Sequence, residues 1–285
     1  MQMKLAPWAL LAVAAMWGIS FVWMKDILDQ QDVYSFLTSR FLAAAAMILL
    51  KPKVLKLFTK ELVFKGLIVG MALGSGYIFQ TLGLDRTTPA ITGFITGLYV
   101  VVTPVLASFF LKERLTPAMW GYVLLAVLGL AVLSVQGWSI GLGEIFVLIS
   151  AVFFAVHIIL LGSWSKNFDA YALTVIQLIG CALLSAIPAT INGYVAPPDS
   201  QVWGVIVFTA LFATAIAFVI QTWSQARIST TKVAVILTME VVFAAVFSVM
   251  YGMEPLTLRL AVGGTMVLIA MLAIVQPRVS SSPKN

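Results

Sequence analysis

Residues 233–250 read VAVILTMEVVFAAVFSVM, a run that is apolar or small throughout except for one ionisable group, Glu240. As a helix it would be about 27 Å long at 1.5 Å per residue, close to the roughly 30 Å of a bilayer's hydrocarbon core. It therefore reads as a membrane span. A carboxylate at the centre of such a span costs roughly 2.5 to 3.5 kcal/mol on insertion scales, and from about ten residues inside either end it cannot reach water by snorkelling. Glu240 must face protein or a wet cavity, and the rest of the chain has to supply one.

Of the 285 residues, 61% are hydrophobic and 10% charged, against about 25% charged in a soluble domain. Apolar runs long enough to cross the core recur at about 6–24, 34–50, 62–83, 90–111, 117–135, 142–162, 170–190, 201–224, 231–252 and 257–276. The fold class expected is an all-α integral membrane protein of ten transmembrane helices. Connections this short leave no room for a soluble domain. The first run, with Lys4 ahead of it and Ala12-Val13-Ala14 within it, is a span rather than a cleaved signal, because it stays apolar through Trp23. Cys181 is the only cysteine, so no intrachain disulfide can form.

Residues 81–133 laid over 222–274 at an offset of 141 bring Arg86 onto Arg227, Gln80 (one residue earlier) onto Gln221, and Glu113-x-Leu115-Thr116 onto Glu254-x-Leu256-Thr257. The chain reads as two five-helix repeats, 1–136 and 137–285. Five is odd, so the second enters the membrane from the opposite side, giving an inverted repeat with its site at midplane. With a cytoplasmic N-terminus the inner segments hold Lys4, the five lysines from Lys51 to Lys65, Lys112, Arg114, Lys166, Arg227, Lys232, Arg278 and Lys284, against Lys25, Arg86 and Arg259 outside. Positive charge thus places both termini in the cytoplasm. The net charge of +6 is scattered as orientation signals, with no basic face for nucleic acid.

Trp17, Tyr77 and Tyr99 are too deep for the interfacial role that accounts for Trp8 or Trp203, and they are candidates to line a cavity with His157 and Glu240. Tyr99 holds the place of Glu240 in the other repeat, so the two are expected near the pseudo-two-fold axis. Glu240 and His157 are candidate polar or proton sites. A structural reading competes for each: a neutral Glu bonded to backbone or hydroxyl, and a core histidine satisfied by a hydroxyl. Arg40, some six residues into its span, is expected to snorkel outward, with a substrate-binding role as the alternative. Gly66, Gly70 and Gly74, with Gly93 and Gly97, form GxxxG faces for close helix approach, and Pro104 is expected to kink the fourth span without a counterpart at Ala245. One histidine and one cysteine cannot build a metal centre, and no cofactor motif is present.

WGISF (17–21), Arg40, the Pro104 helix ending in LKERLT (111–116), the matching GMEPLT (252–257) and the five-plus-five repeat resemble the EamA-type branch of the drug/metabolite transporter superfamily. Within it the chain is similar to aromatic amino acid and paraquat exporters. The resemblance implies cytoplasmic termini, a bacterial inner-membrane location, a central cavity lined by the first, third, fourth, sixth, eighth and ninth helices, and export of small metabolites by alternating access. FFAVHI (153–158) stands where the second repeat would carry a second WGxxF. The expected substrate is a neutral or zwitterionic metabolite such as an amino acid, and the expected partners are that small molecule and the lipid bilayer, the chain being a monomer or weak dimer. A passive channel is the nearest alternative. An intramembrane enzyme is disfavoured, because one deep carboxylate, one histidine and one cysteine form no catalytic set.

Overall fold

The computed structural model describes residues 2–49, 51–87, 89–112, 116–134, 141–252 and 255–275. Secondary structure among them is helical throughout: α1 (Gln2–Ile27), α2 (Val33–Leu49), α3 (Lys60–Arg86), α4 (Pro89–Gly97), α5 (Tyr99–Phe110), α6 (Pro117–Ser134), α7 (Leu142–Trp164), α8 (Ala170–Asn192), α9 (Ser200–Ala210), α10 (Ala217–Gln225), α11 (Thr230–Leu237), α12 (Met239–Met250) and α13 (Leu258–Val275). Helix starts follow local chemistry. Thr59, Asp169 and Asp199 each accept a hydrogen bond from the amide three residues on, and Pro89 and Pro117 open α4 and α6.

Among the described residues seven helices are long and apolar enough to cross a membrane: Leu5–Ile27, Lys60–Arg86, Ile91–Phe110, Leu142–Asn167, Ala170–Asn192, Ser200–Gln225 and Thr230–Met250, with shorter apolar stretches at Pro117–Gly129 and Ala261–Ala270. The outward faces suit lipid. Phe109, Ile191 and Leu258 are more than 75% exposed, a heavy desolvation cost in water and none in hydrocarbon.

Contacts between chain ends place the connections on two opposite faces. On one, Lys25 Nζ donates to the Leu84 carbonyl at 2.8 Å, Thr87 Oγ1 donates to Glu144 Oε1 at 3.2 Å, and the Val195 amide donates to Ser35 Oγ at 3.1 Å. On the other, Lys51 lies 5.0 Å from the Tyr171 ring, and a surface hollow gathers Lys166, Asp169, Trp223 and Arg227. The long helices α1, α2 and α3, and likewise α7 and α8, thus alternate in direction.

Small residues let these rods meet. A methyl group on Gly66 would fall 2.6 Å from Ile176 Cγ2, one on Gly70 would be driven into the Gln177 carbonyl, and one on Gly74 would come 3.1 Å from Cys181 Cα. The glycine face of α3 therefore packs on α8 at backbone distance. Gly93 faces Val241 of α12 more loosely, at 3.6 Å for an added methyl, and Gly97 is buried at the end of α4.

Three of the long helices are composite. α4 and α5 meet at Leu98, α11 and α12 meet at Thr238, and a π-helical turn, Leu211–Ile216, joins α9 to α10. The helix expected to kink at Pro104 instead carries its interruption at Leu98, and α5 runs on through the proline. The interruption at Thr238 falls within one residue of the equivalent place and has no proline, so it belongs to both halves of the chain. Thr238 Oγ1 donates to its own helix at the Val235 carbonyl, 2.6 Å away, a back-bond that bends helices. Of the two E-x-L-T corners, Glu113, Leu115 and Glu254 lie outside the described residues, as do Arg278 and Lys284.

Two buried apolar clusters form the core. One centres on Phe36, Leu37, Phe41, Leu73 and Leu173, the other on Leu10, Val13, Val100, Val235 and Leu237; Trp17 and Phe154 pack against both. The candidate site lies at that seam.

Candidate functional site

The seam encloses a cavity lined from α1 by Trp17, Ser20, Phe21 and Met24, from α2 by Arg40, from α3 by Leu73, Tyr77 and Gln80, and from α4 and α5 by Thr96 and Tyr99. Phe154, His157 and Ile158 of α7, Phe218 and Gln221 of α10, Leu237 and Glu240 complete it. All five residues singled out as cavity-lining from the sequence, Trp17, Tyr77, Tyr99, His157 and Glu240, are in this wall. Measured over the positions a water centre can occupy, its volume is about 40 Å³, enough for on the order of three waters at about 10–15 Å³ each.

Its apolar wall is an aromatic cluster. The Tyr77 ring stands edge-on to Phe154 at 5.4 Å, to Phe41 at 5.4 Å and to Phe218 at 6.1 Å, while Trp17 tilts against Phe218 at 5.5 Å. Such edge-to-face pairs stiffen the wall beyond what area burial alone provides.

The polar groups divide into satisfied and unsatisfied. His157 Nε2 donates to Gln177 Oε1 at 3.0 Å, and the Gln177 amide in turn donates to Thr222 Oγ1 at 3.3 Å. His157 is thereby held by a neutral network on the side away from the cavity, through an amide rather than the hydroxyl expected. By contrast, Glu240 Oε1, Tyr99 Oη and Gln221 Oε1 are buried with no protein partner among the described residues. Buried polar atoms are paired in the great majority of cases, so three orphans on one wall make it the candidate place for a ligand's polar groups. Glu240 stands in the first turn of α12 and Tyr99 opens α5, each just past its helix interruption. The equivalence of the two positions under the 141-residue offset thus has a structural counterpart.

Arg40 does not snorkel. It is 1% exposed and among the largest fully buried side chains, because α2 is covered there by the π turn. Its Nε donates to Thr214 Oγ1 at 2.8 Å and its Nη2 approaches the Ala213 carbonyl at 3.4 Å, while Trp17 Nε1 donates to the same carbonyl at 2.8 Å. A π turn displaces the helical hydrogen-bond register by one residue, freeing carbonyls for side chains. Here it anchors both an aromatic wall residue and the buried cation. No proline or glycine in LFATAI (211–216) signals the turn. Gln80 and Gln221, by contrast, were legible as an equivalent pair at the constant offset, and both reach the cavity. Among the described residues no group of three or more His, Cys, Asp or Glu side chains could hold a metal.

An antiparallel helical slab with lipid-facing apolar sides and a mixed aromatic and polar cavity at its centre is the form of a multi-pass membrane transporter. The EamA-like transporter family matches residues 4–135 and again 141–276, and the chain belongs to that family. An uncharacterized transporter of Archaeoglobus fulgidus is 34% identical over 271 residues, spanning 94% of this chain and 85% of the relative. The chloroplastic WAT1-related protein At3g02690 of Arabidopsis thaliana is 23% identical over 281 residues, spanning 90% of this chain and 66% of the relative. A protein of known crystal structure shares the fold with a TM-score of 0.77 at 15% identity, over 96% of each chain.

Proposed function

We propose that this protein is a secondary transporter of the bacterial inner membrane that exports small amphipathic metabolites, amino acids foremost, by alternating access. In this reading ten helices cross the membrane as two inverted repeats, 1–136 and 137–285, with both termini in the cytoplasm. Supporting the repeat, the family matches twice, and the packing pairs correspond across the two halves: α5 on α7 mirrors α1 on α12, α3 on α7 mirrors α1 on α10, and α6 meets α13. The excess of Lys and Arg on one set of connections supports the orientation.

The observation that carries the substrate reading is Glu240 Oε1, buried and without a protein partner in a wall otherwise built from Trp17, Tyr77, Phe154 and Phe218. A carboxylate facing aromatic rings suits an ammonium group attached to an apolar body. A cavity of about 40 Å³, with room for on the order of three waters, is too small for a leucine or a phenylalanine. Loading therefore requires the wall to open, and the interruptions at Leu98 and Thr238 give two helices a place to bend.

The test is uptake of radiolabelled phenylalanine, tryptophan, leucine, glutamate and glucose into proteoliposomes, for the parent and for Glu240→Gln. The reading predicts entry of the neutral amino acids only, reduced about tenfold or more in the variant. Equal uptake by both proteins, or a preference for glucose, would contradict it.

A further inference from the structure

Arg40 is a buried cation with no ion-pair partner among the described residues. Its partners are uncharged: the Thr214 hydroxyl, the Met24 sulfur at 3.4 Å, the Ala213 carbonyl and the Tyr77 side chain, which also hydrogen-bonds with it and whose ring lies 4.8 Å from the guanidinium carbon. The ion pairs among the described residues, Lys65–Glu61 and Arg86–Asp85, lie at helix ends and leave it out. Glu240, the only acidic residue in the cavity wall among the described residues, is likewise outside any ion pair they form, although it shares that wall with Arg40. A fixed cation and a carboxylate in one desolvated space, neither neutralised by the other, are complementary to a molecule that carries both charges itself.

We propose that Arg40 is the carboxylate-binding residue of the substrate site, so that the cavity selects zwitterions: the substrate's carboxylate meets the Arg40 guanidinium, its ammonium meets Glu240, and its side chain lies against Trp17 and Phe218. This deepens the amino acid reading above and rests on it. The π turn is the positioning device, since Thr214 and Ala213 hold the guanidinium from behind while the Tyr77 face covers one side. A planar fork of donors suits a carboxylate better than an ammonium would, which makes a Lys replacement informative.

The experiment is competition in proteoliposomes. Uptake of radiolabelled phenylalanine is challenged with phenylalaninamide, which lacks the carboxylate, and with 3-phenylpropanoate, which lacks the amine; direct uptake of labelled forms of all three follows, in the parent and in Arg40→Lys and Arg40→Met. The expected result is that the parent carries phenylalanine and neither analogue competes within tenfold of it. Arg40→Lys should keep the order of preference at reduced rate, and Arg40→Met should lose phenylalanine while gaining relative preference for the amide. The parent's selectivity tests the proposal without any variant, so misfolding of Arg40→Met does not shield it. If the parent carries phenylalanine but accepts the amide equally well, the role of Arg40 is overturned and the amino acid reading stands. If it carries 3-phenylpropanoate in an Arg40-dependent way and no amino acid, the amino acid reading falls while the carboxylate site of Arg40 survives.

Discussion

Trp17 shows how much of the site turns on single side chains. Its indole nitrogen is tied to the Ala213 carbonyl while its ring tilts against Phe218, so it joins α1 to the π turn and forms wall at the same time. Trp17→Phe keeps an aromatic ring and deletes the hydrogen bond, a loss of about 1 kcal/mol by the usual net value. Thermal unfolding in detergent should show a fall of a few degrees, with a weaker fall in transport than for Glu240→Gln. An unchanged melting temperature would mean the bond is not made. Glu240 and the depth of Trp17, Tyr77 and Tyr99 were legible in the sequence because an ionisable or amphipathic residue in midspan has no bland interfacial role there. Arg40 was not, since six residues of depth are within a long side chain's reach of the headgroups and only the covering π turn closes that route.

Between elements, the α3–α8 contact and the π turn make separate demands. An added methyl at Gly70 meets the backbone carbonyl of Gln177, which cannot move without shifting α8, whereas at Gly121 nothing lies within 4 Å. Gly70→Ala should cost about 1–3 kcal/mol, the range for overpacking, and Gly121→Ala should be neutral or slightly stabilising; unfolding of the two in parallel checks this. Deleting Ala215 would remove the extra residue of the π turn and restore α-helical register, returning the Ala213 carbonyl to the helical ladder. Trp17 and Arg40 would then lose the carbonyl they share, and transport should fall in a protein that still inserts. Retained transport would show that the turn is dispensable. GxxxG spacing announced the tight contact on α3 before any coordinates. Nothing in LFATAI announced the π turn, because a register shift is settled by what packs on the helix and not by its own propensities. Pro104 drew attention to the right helix and the wrong residue: both interruptions sit where the halves correspond, and only one has a proline nearby.

At the scale of the whole molecule, the excess of Lys and Arg on one set of connections orients the chain in the proposed topology. Cys181 is fully buried, so cysteines introduced elsewhere report cleanly. Ser200→Cys should react with a membrane-impermeant maleimide in cells whose outer barrier is permeable to it, and Lys53→Cys only once the inner membrane is opened. The reverse pattern would invert the assigned topology. The antiparallel slab was legible because apolar length and short polar breaks determine it. Substrate identity was not, since it depends on which atoms meet across the seam, and residues such as Phe218 reach the wall only through packing.

The most direct test of alternating access through this cavity is counterflow. Proteoliposomes loaded with unlabelled phenylalanine are diluted into a trace of the labelled form, and the label inside is followed with time. A carrier that exposes one site to each side in turn predicts a transient accumulation above equilibrium, abolished by Glu240→Gln. A monotonic rise to equilibrium with no overshoot, in a parent protein that does pass phenylalanine, would identify a channel and contradict the account.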